Sequence, residues 1–208
     1  TAVCCKGDTV LQGCAREPEI ADLCRFLRAC GAEIAGEETG TILIRGAHAL
    51  HGAEHTVIPD RIETMSFLCA AAACGGQVTL LDTCPEHCRT ELLVLEAAGC
   101  TLHREQDALT LTAPERLQPV PLVVAAPYPR FSTDAQPVTL SALIRAEGVS
   151  RFCETVFENR FGYVSQLRRL GAQVRVTGRY ARLTGGAALH GGELEAEDLR
   201  GAAALTIA

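Results

Sequence analysis

No tryptophan occurs in the 208 residues, and aromatic side chains make up only 4% of them. A core cannot therefore rest on ring stacking. It must be assembled from Ala, Val, Leu, Ile and Cys, which carry most of the 48% hydrophobic content. No apolar run approaches the length of a membrane-spanning helix, and no stretch reads as a secretory signal. An excess of positive charge is also missing. The formal net charge of −6 speaks against a nucleic-acid binder, which normally presents a basic face. It leaves room for a phosphorylated small molecule, because a local arginine cluster can operate on an acidic protein. Cysteine alone is abundant, at 11 residues, yet no C-x-x-C pair is present. Cys84-Pro-Glu-His-Cys88 has no companion ligand pair at metal spacing, so no metal is expected. Cys24, Cys30, Cys69, Cys74 and Cys100 sit among Ala and other apolar residues and read as reduced thiols used as small hydrophobes in a cytosolic protein.

What is present is a repeat. Gly7 and Gly31, Gly76 and Gly99, and Gly148 and Gly171 form pairs 24, 23 and 23 residues apart. Each first glycine closes an Ala/Leu-rich stretch, as expected just past a helix, and a short β-like run follows it: Thr9–Leu11, Val78–Leu81 and Ser150–Val156. Amphipathic segments Glu19–Cys30, Arg89–Ala98 and Tyr163–Leu170 then carry apolar residues at helical spacing up to the second glycine. Beyond it the alternation changes to period two, for two further strands. The fold class is α/β, built from helix–strand–helix–strand–strand units of about 70 residues. One unit covers residues 1–59, a second 60–133 and a third 134–197, and 198–208 begins a fourth. New helices are expected at Asp60, Asp134 and Asp198, where aspartate is a preferred N-cap. The chain opens inside what reads as a helix, T-A-V-C-C-K-G, and stops in an apolar segment. It is accordingly expected to be an excerpt of a longer protein.

Repetition does not account for residues 126–160. Pro127 and Pro129 stiffen the approach to Asp134, and Glu154, Glu158, Asn159 and Arg160 cluster around Val156 and Phe157. Arg61 and Arg200 stand at two of the helix starts, where a cation opposes the helix dipole and a nearby anion is a reasonable inference. A carboxylate on a stiff loop beside arginines suits proton abstraction from a substrate hydroxyl, with arginines holding phosphate or carboxylate. Plain salt bridges and plain capping remain the alternatives for these same residues.

Five motifs carry a resemblance: A-R-E-P-E-I-A-D-L-C-R-F-L at 15–27, H-G-A-E-H-T-V-I-P-D-R-I-E-T at 51–64, A-P-Y-P-R-F-S-T-D-A-Q at 126–136, E-T-V-F-E-N-R-F at 154–161 and E-D-L-R-G-A-A-A-L at 197–205. In this order they resemble the UDP-N-acetylglucosamine 1-carboxyvinyltransferases, the bacterial enolpyruvyl transferases that start peptidoglycan synthesis. The shikimate-pathway enolpyruvyl transferases share the fold and resemble these motifs less. The resemblance implies pieces of two inside-out α/β barrel domains, residues 1–59 ending the first and 60–208 opening the second, with the active site in the cleft between them. It implies enolpyruvate transfer from phosphoenolpyruvate to the 3-hydroxyl of UDP-N-acetylglucosamine, with no metal and no organic cofactor; the charge and the apolar runs already argue for no nucleic acid and no membrane, and no obligate protein partner is inferred.

Residue by residue, Asp134 matches the family's carboxylate at the sugar hydroxyl, proposed there as its base. Val156 matches a position contacting the UDP-sugar. Arg160, Asp198 and Arg200 match motif positions lining the cleft, and Arg61 falls at the crossover between domains. The family usually has proline where Ser132 stands, and Pro137 follows Asp134 by three residues. The resemblance covers about the second half of the full enzyme. The family's loop with the catalytic cysteine and its Lys-Asn pair would lie upstream, and none of the 11 cysteines matches. The chain alone is therefore expected to be inactive and its parent active. A non-catalytic repeat scaffold and the shikimate-pathway enzyme are the alternatives.

Overall fold

The structure, a computed structural model, describes residues 1–46 and 49–208. Two compact units divide it, Thr1–Ile58 and Pro59–Ala208.

In the first unit a single 3-10 turn, Ala2–Cys4, stands where a longer helix is expected. Strand β1 (Asp8–Gln12), helix α1 (Pro18–Ala29), β2 (Glu33–Ala35) and β3 (Thr41–Arg45) follow. The sheet order is β1-β3-β2, with β3 antiparallel to both neighbours. Pro18 occupies the first turn of α1, where its missing N–H costs nothing. Ile34, Ile42 and Ile44 bury one face of the sheet with Cys24 and Val3.

The second unit repeats this plan twice. Helix α2 (Arg61–Cys74), β4 (Gln77–Leu81), α3 (Arg89–Ala97), β5 (Thr101–Arg104) and β6 (Ala108–Thr112) form the first copy, with sheet order β4-β6-β5. Helix α4 (Gln136–Ala142), β8 (Val149–Glu154), α5 (Val164–Arg169), β9 (Gln173–Thr177) and β10 (Tyr180–Thr184) form the second. Its sheet gains an edge strand that the periodicity does not announce: β7 (Val123–Ala125) pairs parallel to β8, giving the order β7-β8-β10-β9. Helix α6 (Leu199–Ile207) closes the chain.

The repeat has a local cause. Helices α1, α3 and α5 all end on the same Schellman turn. The Ala32, Cys100 and Ala172 N–H groups donate to the Leu27, Leu95 and Leu167 carbonyls, with Gly31, Gly99 and Gly171 at φ of +96°, +94° and +99°. The first glycines behave differently from expectation. Helix α2 is closed by Gly75 rather than Gly76, and α4 tightens into a 3-10 turn (Leu143–Arg145) before Gly148 is reached.

Helices α2, α4 and α6 pack on one another within the second unit, and every residue of α4 is buried. A helix buried along its whole length suits the composition. Ala-rich helices can approach closely, and one continuous core runs from Met65 and Leu68 of α2 through Leu140 and Leu143 to Leu109, Leu111, Phe152 and Leu183 on the sheets. Each such side chain contributes on the order of 1.5–3 kcal/mol by leaving water.

Candidate active site

Of the three aspartates expected to cap helices, two do. One Asp60 carboxylate oxygen accepts the Ile62 and Glu63 N–H groups at 2.7 and 3.2 Å, and one Asp198 oxygen accepts those of Arg200 and Gly201 at 3.0 and 2.8 Å. Asp134 does not. Helix α4 begins two residues later, its N-cap Ala135 makes no side-chain bond, and Pro137 lies in its first turn. The expectation that Asp134 opens a helix as its cap is thereby corrected. Ser132 Oγ accepts the Asp134 N–H at 3.1 Å, so the local turn is satisfied without the aspartate side chain, which is left for other work.

That work is ionic. Arg160 Nη2 donates to Asp134 Oδ1 at 2.6 Å, while its Nε and Nη2 also reach the Thr133 carbonyl oxygen at 3.1 and 3.0 Å. Arg200 approaches from α6, with Nε 3.4 Å from Oδ1 and Nη2 3.4 Å from Oδ2. The Asp134 carboxylate therefore sits between two guanidinium groups from elements 26 and 66 residues away. It still keeps about a third of its side-chain surface in solvent. Arg160 is itself braced over the Phe157 ring at 5.3 Å, a cation–π contact.

The loop delivering Asp134 is pinned along its length. The Ala126 N–H donates to the Phe131 carbonyl oxygen, Thr90 Oγ1 donates to that of Pro129, and Phe131 is buried; the Tyr128–Pro129 peptide is cis. Arg61, buried at the first position of α2, lies over the Tyr128 ring at 5.7 Å and so touches this loop. Glu154 lies inside the fold, 1% exposed. Its Oε2 accepts the Thr133 hydroxyl at 2.8 Å, and its Oε1 accepts the Val156 and Phe157 N–H groups at 2.7 and 3.1 Å. Val156 and Phe157 are thus presented outward on a turn held by a buried carboxylate, with Glu158 and Asn159 exposed beside them. The structure brings Asp134, Arg160 and Arg200 together and sets Asp198 as the cap that orients Arg200. It places Val156 on the neighbouring turn and Arg61 over Tyr128 of the loop.

Sequence reading missed the buried supports. Glu91, on the first turn of α3, accepts the Ser132 N–H at 2.7 Å. Burial raises its carboxyl above the ordinary value of 4.5, against the lowering effect of the Ser132 bond and of Arg61. Gln136 Nε2 donates to the hydroxyl of Tyr163, whose own ionisation burial pushes up. Only helical phase, which turns Glu91 toward the core side of α3, could have flagged one of them.

Among the described residues no group of His, Cys, Asp and Glu could hold a metal ion, and no helix is long and apolar enough to cross a membrane.

The repeated α/β units are those of an enolpyruvyl transferase architecture. The crystal structure of the enolpyruvyl transferase NikO from Streptomyces tendae matches it with a TM-score of 0.85 and 29% identity, over 99% of this chain and 49% of that one. The chain belongs to the EPSP synthase (3-phosphoshikimate 1-carboxyvinyltransferase) family, which matches across residues 1–208. UDP-N-acetylglucosamine 1-carboxyvinyltransferase 2 of Caldanaerobacter subterraneus subsp. tengcongensis is 44% identical over 202 residues, 97% of this chain and 48% of its own length. UDP-N-acetylglucosamine 1-carboxyvinyltransferase 3 of Symbiobacterium thermophilum is 43% identical over 203 residues, covering 98% and 48%. The resemblance read from the five motifs is borne out, and the chain spans about half the length of the curated relatives it matches.

Proposed function

We propose that the full-length protein containing this chain transfers the enolpyruvyl group of phosphoenolpyruvate to the 3-hydroxyl of UDP-N-acetylglucosamine. The phosphate ester at C2 of phosphoenolpyruvate is replaced by an ether to the sugar. The hydroxyl proton leaves on a carboxylate, and inorganic phosphate departs. Asp134 takes that proton. Arg160 and Arg200 aim its carboxylate, and Arg200, held to it only by 3.4 Å contacts, can also attend an anionic group of substrate. The Val156 turn meets the nucleotide sugar, Asp198 holds Arg200 in place, and Arg61 supports the loop from behind. The observation that carries this reading is a carboxylate released from capping, one-third exposed, and gripped by two arginines in a chain whose 44%-identical relatives are named for that transfer. The reaction would place the protein in the cytoplasm, in peptidoglycan and cell-wall synthesis. The two units would belong to two domains, with the rest of the first domain upstream.

Phosphate release by the full-length protein with both substrates tests the reading. Asp134→Ala is expected to lower kcat by roughly two to four orders of magnitude. A near-parental rate would remove Asp134 from the mechanism, and turnover with shikimate 3-phosphate but not with the UDP-sugar would assign the sister reaction instead. Residues 1–208 alone are expected to release no phosphate.

A further inference from the structure

Glu91 is a buried acid that the proposed chemistry does not use. It is 3% exposed, on the first turn of α3, and one of its oxygens lies 2.7 Å from the Ser132 nitrogen, 41 residues along the chain. A carboxylate stripped of water is costly unless its lone pairs meet donors. A buried backbone N–H without an acceptor is costly as well. Each answers the other. The consequence is positional, because Ser132 is two residues before Asp134 and its hydroxyl oxygen accepts the Asp134 N–H. On the far side Thr133 is held by Glu154. The segment Ser132–Thr133 is therefore fixed from two directions by buried carboxylates from α3 and β8. Asp134, the next residue, inherits a defined position between Arg160 and Arg200.

We infer that Glu91 is a positioning residue for Asp134. By accepting the Ser132 N–H it holds the 126–134 loop so that the Asp134 carboxylate meets both arginines. The inference rests on the proposed role of Asp134, but the loop's rigidity can be measured without turnover. Glutamine at position 91 keeps an acceptor oxygen, and leucine removes it at similar volume. Aspartate, one methylene shorter, withdraws the acceptor from the Ser132 N–H while keeping the charge.

The test is hydrogen–deuterium exchange of the peptide spanning 130–136, together with steady-state kinetics, on full-length Glu91→Leu, Glu91→Gln and Glu91→Asp. Glu91→Leu is expected to speed exchange in this peptide by about 10-fold or more while the core peptides of α2 keep their protection. Its kcat should fall about 10- to 100-fold with KM changed by less than about 3-fold. Glu91→Gln should restore both. Unchanged exchange in Glu91→Leu overturns the inference, as does faster exchange with undiminished kcat. If Glu91→Leu does not fold, Glu91→Asp decides: faster exchange at 130–136 with a lowered kcat supports the inference, and parental exchange overturns it. If the parent itself shows no turnover, the proposed function fails, and exchange alone still decides whether Glu91 holds the loop.

Discussion

Replacing Asp60 and Asp134 by alanine, one at a time, should separate two jobs that look alike in sequence. Asp60 caps α2, a 14-residue helix that runs through the core, and its Oδ1 accepts two first-turn N–H groups at 2.7 and 3.2 Å. Alanine orphans both donors and removes a favourable charge from the helix N-terminus, which costs about 1–2 kcal/mol. For a cooperatively unfolding domain of about 150–250 residues that corresponds to a fall in Tm of roughly 2–8 °C. Asp134 caps nothing. Its ion pairs involve a side chain one-third exposed, so solvent screening limits their worth to about 0–1 kcal/mol, and Arg160 keeps both bonds to the Thr133 carbonyl oxygen when the carboxylate is gone. Asp134→Ala should therefore move Tm by no more than about 4 °C. Turnover should invert the order: Asp134→Ala loses about 100-fold or more, and Asp60→Ala stays within about 3-fold well below its transition. Scanning calorimetry and phosphate release on the full-length protein read both axes. A larger Tm loss for Asp134→Ala than for Asp60→Ala, or equal losses of kcat, would refute the division of labour.

Other perturbations have defined outcomes. A methyl group at Gly201 would meet Asp198 Oδ2 at 2.7 Å and Tyr163 Cβ at 3.0 Å, so Gly201→Ala should disturb the α6 cap and cost about 1–3 kcal/mol by urea unfolding. An unchanged midpoint would contradict this packing. Burial pushes the thiols of Cys69 and Cys88 up to about 12 and that of Cys100 up to about 11. These three should resist an aromatic disulfide reagent at pH 8 until the protein unfolds, and rapid labelling of any of them in the native state would count against the core described here. Asp22, a buried acid, is held below its ordinary value of 3.8: burial works against this, and the hydrogen bonds from His55 at 3.1 Å and Arg25 at 3.3 Å outweigh it. A depressed carboxyl stabilises the fold above the ordinary range, and that contribution is lost as pH falls through the lowered value. Asp22→Asn should therefore weaken the first unit at pH 7, and its stability should converge with the parent's in strong acid. A constant gap across pH would reject the assignment.

The helix ends and the repeat were legible because their causes are local. A glycine at positive φ closing a Schellman turn needs only the six residues around it, which is why Gly31, Gly99 and Gly171 mark α1, α3 and α5. The same local rule misjudged Asp134. There a serine two residues earlier satisfies the turn, and the deciding partners are 26 and 66 residues away. Strand β7 was overlooked for a similar reason. Three residues carry too little alternation, and its existence depends on parallel pairing with β8.

By itself, then, the amino-acid order determined an α/β repeat with small-residue helices, the caps at Asp60 and Asp198, and the motifs that place the chain in its family. Only the tertiary structure decided which aspartate is free of the backbone and which arginines grip it. It also showed that Glu91 and Glu154 are interior supports rather than surface charge. Caps and turns are settled by neighbours within a few residues, whereas a buried carboxylate takes its role from whichever donor the packed fold brings beside it.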